Sequence, residues 1–245
     1  MRVAQRRRLD QALVERGLVA SRERAQAMVR AGLVRVAGVT MGEPDQIVSA
    51  EQAIEVAGTT TYVSRGGEKL VAALDAFTID PSGRTALDVG ASTGGFTDVL
   101  LQRGASRVIA VDVGYGQLAW SLRQDPRVTV MERVNIRHLE QLPLPADLAV
   151  IDVSFISLRL VLPRVAELLS PPGEVVALVK PQFEVGKGAV GKGGVVRDPD
   201  QHRAVVSGLR QFAAEIGYTV AGEIPSPILG AKGNREFLLY LKHHG

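Results

Sequence analysis

The chain has 245 residues, which is enough for one or two domains with a full hydrophobic core. It is 46% hydrophobic and 22% charged, and its longest apolar stretches are far too short to span a bilayer. The lack of cysteine excludes disulfides, thiolate zinc sites and cysteine nucleophiles, and four histidines leave little for a metal cluster. We therefore expect a globular, cytoplasmic protein with no membrane segment, no signal peptide and no metal site.

Positive charge is concentrated at the N-terminus. Residues 1–35 contain nine arginines and three acidic residues, whereas residues 36–58 contain no lysine or arginine. Because the net charge of the whole chain is only +3, the remainder is slightly acidic. A localised basic unit favours a polyanionic partner. A solvated arginine-rich surface is the alternative interpretation of the same charges.

Two short helices are predicted in this basic region. Leu9 and Leu13 belong to an apolar stripe that Gly17 ends, and Ser21 is placed to cap a second helix. Alternating residues 33–36 then predict a strand that turns back towards residues 54–56. This pattern indicates a small α+β domain.

The segment from residue 8 to 58, which begins RLDQALVERGLVASRERAQAMVRAGLVRVAG, resembles the S4-type RNA-binding domain. That family includes a ribosomal protein, pseudouridine synthases and tyrosyl-tRNA synthetase, and it usually has Asn or Asp before the turn glycine, where this chain has Ala37. The resemblance implies contacts between arginines and RNA phosphates. We assign RNA contacts to Arg6, Arg8, Arg22, Arg24 and Arg65.

A polar break at residues 58–61 marks the predicted domain boundary, which gives domains 1–61 and 62–245. A helix is expected to follow, with Lys69 at the flank of its buried face. Its ammonium could reach over the edge of a sheet, although a lysine lying along the surface would fit the same pattern.

Strand and helix signals alternate through the rest of the chain, which predicts an α/β fold with an open, mostly parallel sheet of seven strands. The predicted strands are Leu87–Val89, Val108–Asp112, Val128–Met131, Leu148–Val153, Val175–Lys180, Val220–Ile224 and Phe237–Leu241. The helices between them are predicted at Phe96–Gln102, Gln117–Leu122, Leu158–Leu169 and Pro199–Ile216. Ligands of such folds bind at the carboxyl ends of the strands.

The segment TALDVGASTGGF, residues 85–96, runs from an apolar strand through a glycine-rich turn into a helix. Such a turn lets backbone amides approach a nucleotide-like ligand, and Asp112, 22 residues after Gly90, is spaced to hold ribose hydroxyls. The order Gly90-x-x-x-Gly94-Gly95 lacks the fingerprint of NAD sites, so S-adenosyl-L-methionine is favoured. We assign cofactor contacts to Gly90, Ser92, Gly94, Phe96, Asp112 and Asn135.

A second glycine-rich stretch, Gly186–Lys192, satisfies the spacing of a phosphate-binding loop. Gly193 stands where that loop needs Ser or Thr for magnesium, and the next helix begins only near Pro199. We therefore reject a nucleotide triphosphate site and expect a mobile lid beside the active site.

The second half resembles FtsJ-like ribose methyltransferases, and the whole chain resembles the TlyA family of ribosomal RNA methyltransferases. The motifs that carry the resemblance are SRGGEKL, DVGASTGGFT, VDVGYGQLAWSL, IDVSFISL, LVKPQFEVGKG and GNREFLLYL. The family implies a Rossmann-like class I methyltransferase fold with S-adenosyl-L-methionine as cofactor. It also implies a catalytic tetrad, carried over here as Lys69, Asp152, Lys180 and Glu236.

The reaction that the resemblance implies is 2'-O-methylation of cytidine in 23S ribosomal RNA, with 16S as a further candidate. The partner is then ribosomal RNA or a ribosomal subunit, and no obligate protein partner is indicated. Strand ends agree with this assignment because Asp152 and Lys180 close parallel strands, while Glu236 opens the last strand. If that strand is antiparallel, all four side chains can converge. Two ordinary salt bridges at strand ends are the competing interpretation.

Three other functions remain possible interpretations of the sequence. Methylation of a base amine usually requires an Asn/Asp-Pro-Pro-aromatic motif after the fourth strand, where this chain has Asp152-Val153-Ser154-Phe155. A non-catalytic RNA-binding assembly factor would hold the cofactor without using it. Some family members have been called haemolysins, but the sequence offers no membrane-penetrating segment.

Overall fold

The structure, a computed structural model, describes residues 6–16, 18–19, 21–56, 62–186, 188, 190–191 and 193–245. It divides into two compact units, residues 1–61 and 62–245. The predicted helix end at Gly17, the polar break at residues 58–61 and Lys192 of the glycine-rich stretch lie outside the described residues.

The described residues of the first unit form two helices and five three-residue strands. Its elements are β1 (Arg6–Arg8), α1 (Leu9–Glu15), α2 (Arg22–Arg30), β2 (Val34–Val36), β3 (Val39–Met41), β4 (Ile47–Ser49) and β5 (Ile54–Val56). Strand β2 pairs with β5, as the sequence predicts, and also with β3, while β1 pairs with β4. Ala37 and Gly38 form the β2–β3 turn at φ values of 49° and 82°, the left-handed region that such two-residue turns require.

The core of the first unit is formed by the apolar stripes of both helices and by β2. Leu9, Leu13, Ala25, Val29 and Val34 are all fully buried. The two predicted helices and their buried faces therefore agree with the structure, and Ser21 caps α2 by accepting a hydrogen bond from the Arg24 amide.

The second unit is a sheet of seven strands covered by helices on both faces. In chain order its elements are α3 (Gly66–Phe77), β6 (Thr85–Val89), α4 (Gly95–Gln102), β7 (Arg107–Asp112), α5 (Trp120–Arg123), β8 (Val128–Glu132), β9 (Leu148–Ile151), α6 (Leu162–Leu168), β10 (Gly173–Val179), α7 (Pro181–Glu184), α8 (Pro199–Glu215), β11 (Tyr218–Pro225) and β12 (Phe237–His243). Short 3₁₀ turns occur at Ile136–His138, Leu158–Leu160 and Ala231–Gly233.

The strands are ordered β11-β12-β10-β9-β6-β7-β8. Strands β8, β7, β6, β9 and β10 run parallel to one another, and β12 is antiparallel to both β10 and β11. The predicted α/β fold with a mostly parallel sheet is confirmed. Because β12 runs in the opposite direction, its first residues lie at the edge where β9 and β10 end.

Two helix predictions differ from the structure. The predicted helix Leu158–Leu169 is a 3₁₀ turn followed by α6, because Pro163 has no amide hydrogen and is tolerated only in the first turn of a helix. The helix predicted from Gln117 begins at Trp120, since Ala119 is in an extended conformation. The other helices and strands agree within a few residues at each end.

Candidate active site and cofactor cleft

The four residues of the predicted tetrad come from four separate elements of the second unit. Asp152 directly follows β9, and Lys180 directly follows β10. Glu236 immediately precedes the antiparallel strand β12, and Lys69 lies in the first turn of α3. The parallel strand ends and the reversed last strand bring residues more than 160 positions apart to one edge of the sheet.

The tetrad forms two ion pairs. Lys69 Nζ lies 2.5 Å from Glu236 Oε2, and Lys180 Nζ lies 2.6 Å from Asp152 Oδ1. Lys180 also donates a hydrogen bond of 2.9 Å to Ser154 Oγ. The Lys69–Glu236 pair is nearly enclosed, with side-chain exposures of 10% and 2%, while Asp152 keeps 24% of its side chain exposed. Each amine therefore has its own carboxylate.

The segment before Glu236 is held by a buried amide. Asn234 Oδ1 accepts a hydrogen bond from the Val196 amide, and its Nδ2 donates to the carbonyls of Gly194 and Ala231. Gly230 lies directly against Glu236, because a Cβ at that position would stand 1.8 Å from Glu236 Oε1. These contacts fix the position from which Glu236 reaches Lys69.

All four tetrad residues line one cavity of about 570 Å³, which we call the catalytic cavity. Its walls include Phe96 and Arg65, the latter an exposed residue at the start of α3. The predicted tetrad thus converges on one space. Arg65, predicted as an RNA contact, lies at that space and not on the first unit.

A neighbouring cleft of about 820 Å³ shares Gly90, Ser92 and Asp152 with the catalytic cavity. Gly90 has a φ of 86°, and a Cβ there would stand 2.7 Å from the Asp152 carbonyl oxygen, so only glycine permits this close approach. Asp112 accepts hydrogen bonds from the amides of Ser92 at 2.8 Å and Gly114 at 2.6 Å. We call this space the cofactor cleft.

The residues of the cofactor cleft fit a nucleoside with a charged tail. Each carboxylate oxygen of Asp112 accepts one amide and keeps a second lone pair for a ribose hydroxyl. Val134, Asn135 and Ile136 also line the cleft, next to Asp112, whose carbonyl accepts a hydrogen bond from the Val134 amide; they offer apolar surface and the Asn135 side-chain amide to a base. Asn135 Oδ1 itself accepts from the Arg137 amide, which orients its side chain.

Two of the predicted cofactor residues are placed differently from the others. Phe96 is buried and lines the catalytic cavity. Gly94 has a φ of 95° at the start of α4, and a Cβ there would collide with the side chains of Leu118 and Leu122. Gly94 therefore allows the glycine-rich turn to pack against the segment leading into α5. Contacts of both residues with the cofactor stay predictions.

Asp88, on β6 beneath the glycine-rich turn, is a fully buried carboxyl group. Burial raises the pKa of Asp88 to about 7, although a 2.6 Å hydrogen bond from Thr97 Oγ1 acts in the opposite direction. Its Oδ1 atom has no hydrogen-bond partner among the described residues. The neutral acid is thus favoured up to about pH 7.

The sequence analysis did not assign roles to an aromatic pair at the junction of the two spaces. Phe155 is 91% exposed at a φ of 64°, and its ring lies 5.0 Å from that of Phe183. Both rings line the catalytic cavity and the cofactor cleft. A phenylalanine in the motif IDVSFISL, directly after a catalytic strand end, was the available signal for such a surface.

The arginines predicted to bind RNA on the first unit have different surroundings. Arg8 and Arg22 lie 3.1 and 3.0 Å from the carboxylate of Asp10, which is fully buried. Burial alone would raise the pKa of Asp10, but hydrogen bonds from Arg8, Gln26 and Arg22 outweigh it and lower that pKa. Arg6 and Arg24 are exposed. The Asp10 carboxylate thus organises two of the four arginines, whose side chains stay 39% and 49% exposed.

Comparison with known families explains the two units. Residues 62–243 match the FtsJ-like methyltransferase family, and residues 7–54 match the S4 domain. The second unit is therefore a methyltransferase of the FtsJ-like class, whose cofactor is S-adenosyl-L-methionine.

The particular family follows from full-length relatives. The chain is 50% identical over 244 residues to the 16S/23S rRNA (cytidine-2'-O)-methyltransferase TlyA of Mycobacterium tuberculosis. The matched region covers 98% of this chain and 91% of that protein. This chain belongs to the TlyA family. It is also 38% identical to Hemolysin A of Brachyspira hyodysenteriae, over 95% of this chain and 98% of that one. A solved structure from Streptococcus thermophilus, 44% identical, has a TM-score of 0.77 and covers 99% of this chain and 90% of that one.

Proposed function

We propose that this chain transfers a methyl group from S-adenosyl-L-methionine to the 2'-hydroxyl of a cytidine in 23S ribosomal RNA, with 16S ribosomal RNA as a second substrate. The observation that carries the proposal is the convergence of two lysine–carboxylate pairs on one cavity beside the cofactor cleft. The name of the Mycobacterium tuberculosis relative, which shares half of its residues with this chain, supports the same reaction and the same two RNAs.

The chemistry requires a weak nucleophile to lose its proton as it attacks. Lys180 Nζ, after releasing its own proton to solvent, receives the hydroxyl proton as a neutral amine, and Asp152, 2.6 Å away, stabilises the ammonium that results. Ser154 Oγ fixes the direction of the same amine. Lys69, held by Glu236, places a second positive charge where the alkoxide develops. S-adenosyl-L-methionine, when bound, supplies an electrophilic methyl group.

The residues of the cofactor cleft would hold that cofactor. Asp112 is placed for the ribose hydroxyls, and Asn135 and its apolar neighbours are placed for the base. Gly90 and Ser92, which both spaces share, would lie beside the part of the cofactor nearest the tetrad. Holding the reacting groups in this order lowers the entropic cost of the transfer.

The S4-type unit, residues 1–61, binds the ribosomal RNA or the subunit that contains it, while residues 62–245 perform the transfer. Its exposed arginines supply contacts to phosphates. We expect the enzyme to act in the cytoplasm, where ribosomal RNA is found.

A membrane-directed activity has weaker support. One relative is named Hemolysin A, but none of the helices in the described part of the chain is long and apolar enough to cross a bilayer. The paired lysines and carboxylates beside a nucleoside-sized cleft instead fit group transfer to a hydroxyl.

Mass-spectrometric mapping of ribose methyl groups on both large ribosomal RNAs, from cells with and without this protein, tests the proposal. We expect a 2'-O-methylcytidine in 23S ribosomal RNA that depends on the protein and disappears with Lys180→Ala. A protein-dependent methyl group on a base, or no change in either RNA, would contradict it.

A further inference from the structure

A third cavity, of about 500 Å³, lies between the first half of α8, β11 and the start of β12. Three arginines, Arg203, Arg210 and Arg235, line it together with Glu223. The cluster is a local feature, because residues 62–245 as a whole contain 20 basic and 19 acidic residues. We call it the arginine cavity.

The arginine cavity and the catalytic cavity are lined by two consecutive residues of the chain. Arg235 lines the arginine cavity, and the next residue, Glu236, lines the catalytic cavity, where it is paired with Lys69. Consecutive Cα atoms are about 3.8 Å apart, and side chains of an extended segment alternate between opposite sides. A ligand held by Arg235 would therefore lie on the other side of this backbone segment from a substrate held by the tetrad.

The three guanidinium groups differ in how they are held. Arg210 Nη1 lies 3.0 Å from Glu223 Oε2, and Arg203 contacts Asp200 in the first turn of α8. Arg235 is exposed and forms no ion pair within the part of the chain that the structure describes. Two oriented arginines and one uncompensated arginine leave net positive charge in the cavity.

We propose that the arginine cavity binds a backbone phosphate of the RNA strand that carries the methylated nucleotide. The proposal rests on the function proposed above and adds a contact made by the methyltransferase unit itself. A guanidinium group matches a phosphate with two parallel hydrogen bonds, and such contacts fix the register of a nucleic acid without reading its bases. A phosphate of the same strand would then be held on one side of this backbone segment while the target hydroxyl meets Lys180 on the other.

Replacing Arg235 by Gln tests this site, with Arg107→Gln as the matched control. Arg107 is also exposed but lies at the start of β7, at the opposite edge of the sheet. For a 23S ribosomal RNA transcript, we expect R235Q to reduce the slope of log affinity against log salt by about 0.7–0.9, as one lost phosphate contact requires. KM should rise about three- to tenfold with kcat within about twofold, because the contact is made equally before and during the transfer.

Arg235→Lys distinguishes the effect of the positive charge from that of the guanidinium geometry, since lysine keeps the charge but cannot form two parallel hydrogen bonds. It should restore the salt slope and part of the affinity. An unchanged slope and KM in R235Q, with wild-type methylation intact, would overturn the phosphate site and leave the proposed function standing. An unchanged slope on the transcript together with weaker binding to intact ribosomal subunits would overturn it in favour of a ribosomal protein contact. If the wild-type protein transfers no methyl group to either RNA substrate, the proposed function itself would be overturned.

Discussion

At the residue scale, the two lysines of the catalytic cavity are held in different ways. Lys69 is nearly enclosed and bound to the buried Glu236, whereas Lys180 is shared between Asp152 and the hydroxyl of Ser154. The more exposed carboxylate of the second pair leaves room for a substrate beside Lys180. This asymmetry favours Lys180 as the proton acceptor and Lys69 as a fixed positive charge.

Replacing Lys180 by Ala removes the proposed proton acceptor without changing a residue that lines the cofactor cleft. We expect the rate of methyl transfer to fall roughly 100- to 10,000-fold, because general base catalysis typically contributes that much. Cofactor affinity should stay within about twofold. Single-turnover methyl transfer measures the first quantity and calorimetric titration the second, with the exposed Lys242→Ala as control. A normal single-turnover rate would remove Lys180 from the mechanism.

The buried carboxyl of Asp88 makes the stability of the second unit depend on pH. Its pKa is about 7 in the folded chain and near 4 in the unfolded chain, so the folded state binds the extra proton between these values. The contribution of Asp88 to stability is therefore fully present below pH 4 and is lost as the pH rises through 7. Asp88→Asn keeps the acceptor for Thr97 and removes the ionisation.

We expect Asp88→Asn to be more stable than the wild type at pH 8, by roughly 1–4 kcal/mol, and similar to it at pH 4. Thermal unfolding at the two pH values measures the difference, and Asp98→Asn, which replaces a half-buried carboxylate of α4, serves as control. Equal stabilisation at both pH values would show that Asp88 is ionised in the folded state.

At the scale of elements, the two helices of the first unit are joined through Asp10. This buried residue of α1 accepts hydrogen bonds from Arg22 and Gln26 of α2 and from Arg8. Arg22 therefore combines a structural contact with its predicted role in RNA binding. Arg24, two residues further along the same helix and exposed, lacks that structural contact among the described residues.

Comparing Arg24→Ala with Arg22→Ala separates the two roles. We expect Arg24→Ala to lower the salt slope of RNA binding by about 0.7–0.9 with a free energy of unfolding within about 0.5 kcal/mol of the wild type. Arg22→Ala should also destabilise the first unit by about 1–3 kcal/mol, because a buried carboxylate loses a partner. Salt-dependent binding and chemical denaturation measure the two effects. An Arg24 variant with an unchanged slope would exclude that residue from the RNA interface.

Long, strongly patterned elements were predictable from the sequence, and short ones were not. The β6–α4 unit and α8 agree with the prediction to within a few residues, because their apolar periods and caps are local signals. Strands β1, β3 and β4 were missed, since three residues are too few to show alternation. The ion pairs of Asp10 were equally invisible, because tertiary packing brings the residues together.

At the scale of the whole molecule, the sequence motifs identified the four tetrad residues, and the sheet topology explains why their side chains meet. Lys69 and Glu236 are far apart in the sequence, and only a reversed last strand places them at the same edge. The sequence could not show that Lys69 pairs with Glu236 and Lys180 with Asp152, because tertiary packing decides which side chains meet. Two further candidates depend on the cavities: Phe155 lines both the cofactor cleft and the catalytic cavity, and Arg235 lines the arginine cavity directly before Glu236.

RNA binding by the first unit and methyl transfer by the second depend on different groups of the RNA. Phosphate contacts by arginines supply most of the binding and do not depend on the sugar, while the tetrad acts on a hydroxyl that RNA alone possesses. The identity of the methylated atom is therefore the point on which the whole account depends.

The most direct measurement uses an RNA substrate with a single 2'-deoxycytidine at the target position, compared with the unmodified RNA. We predict that the deoxy substrate binds with an affinity within about threefold of the ribose substrate, because the phosphates are unchanged. It should accept no methyl group at that nucleotide, whereas the ribose substrate is fully methylated. Methylation of the deoxy substrate at the ribose rate would place the reaction on the base and contradict the assignment of Lys69, Asp152, Lys180 and Glu236.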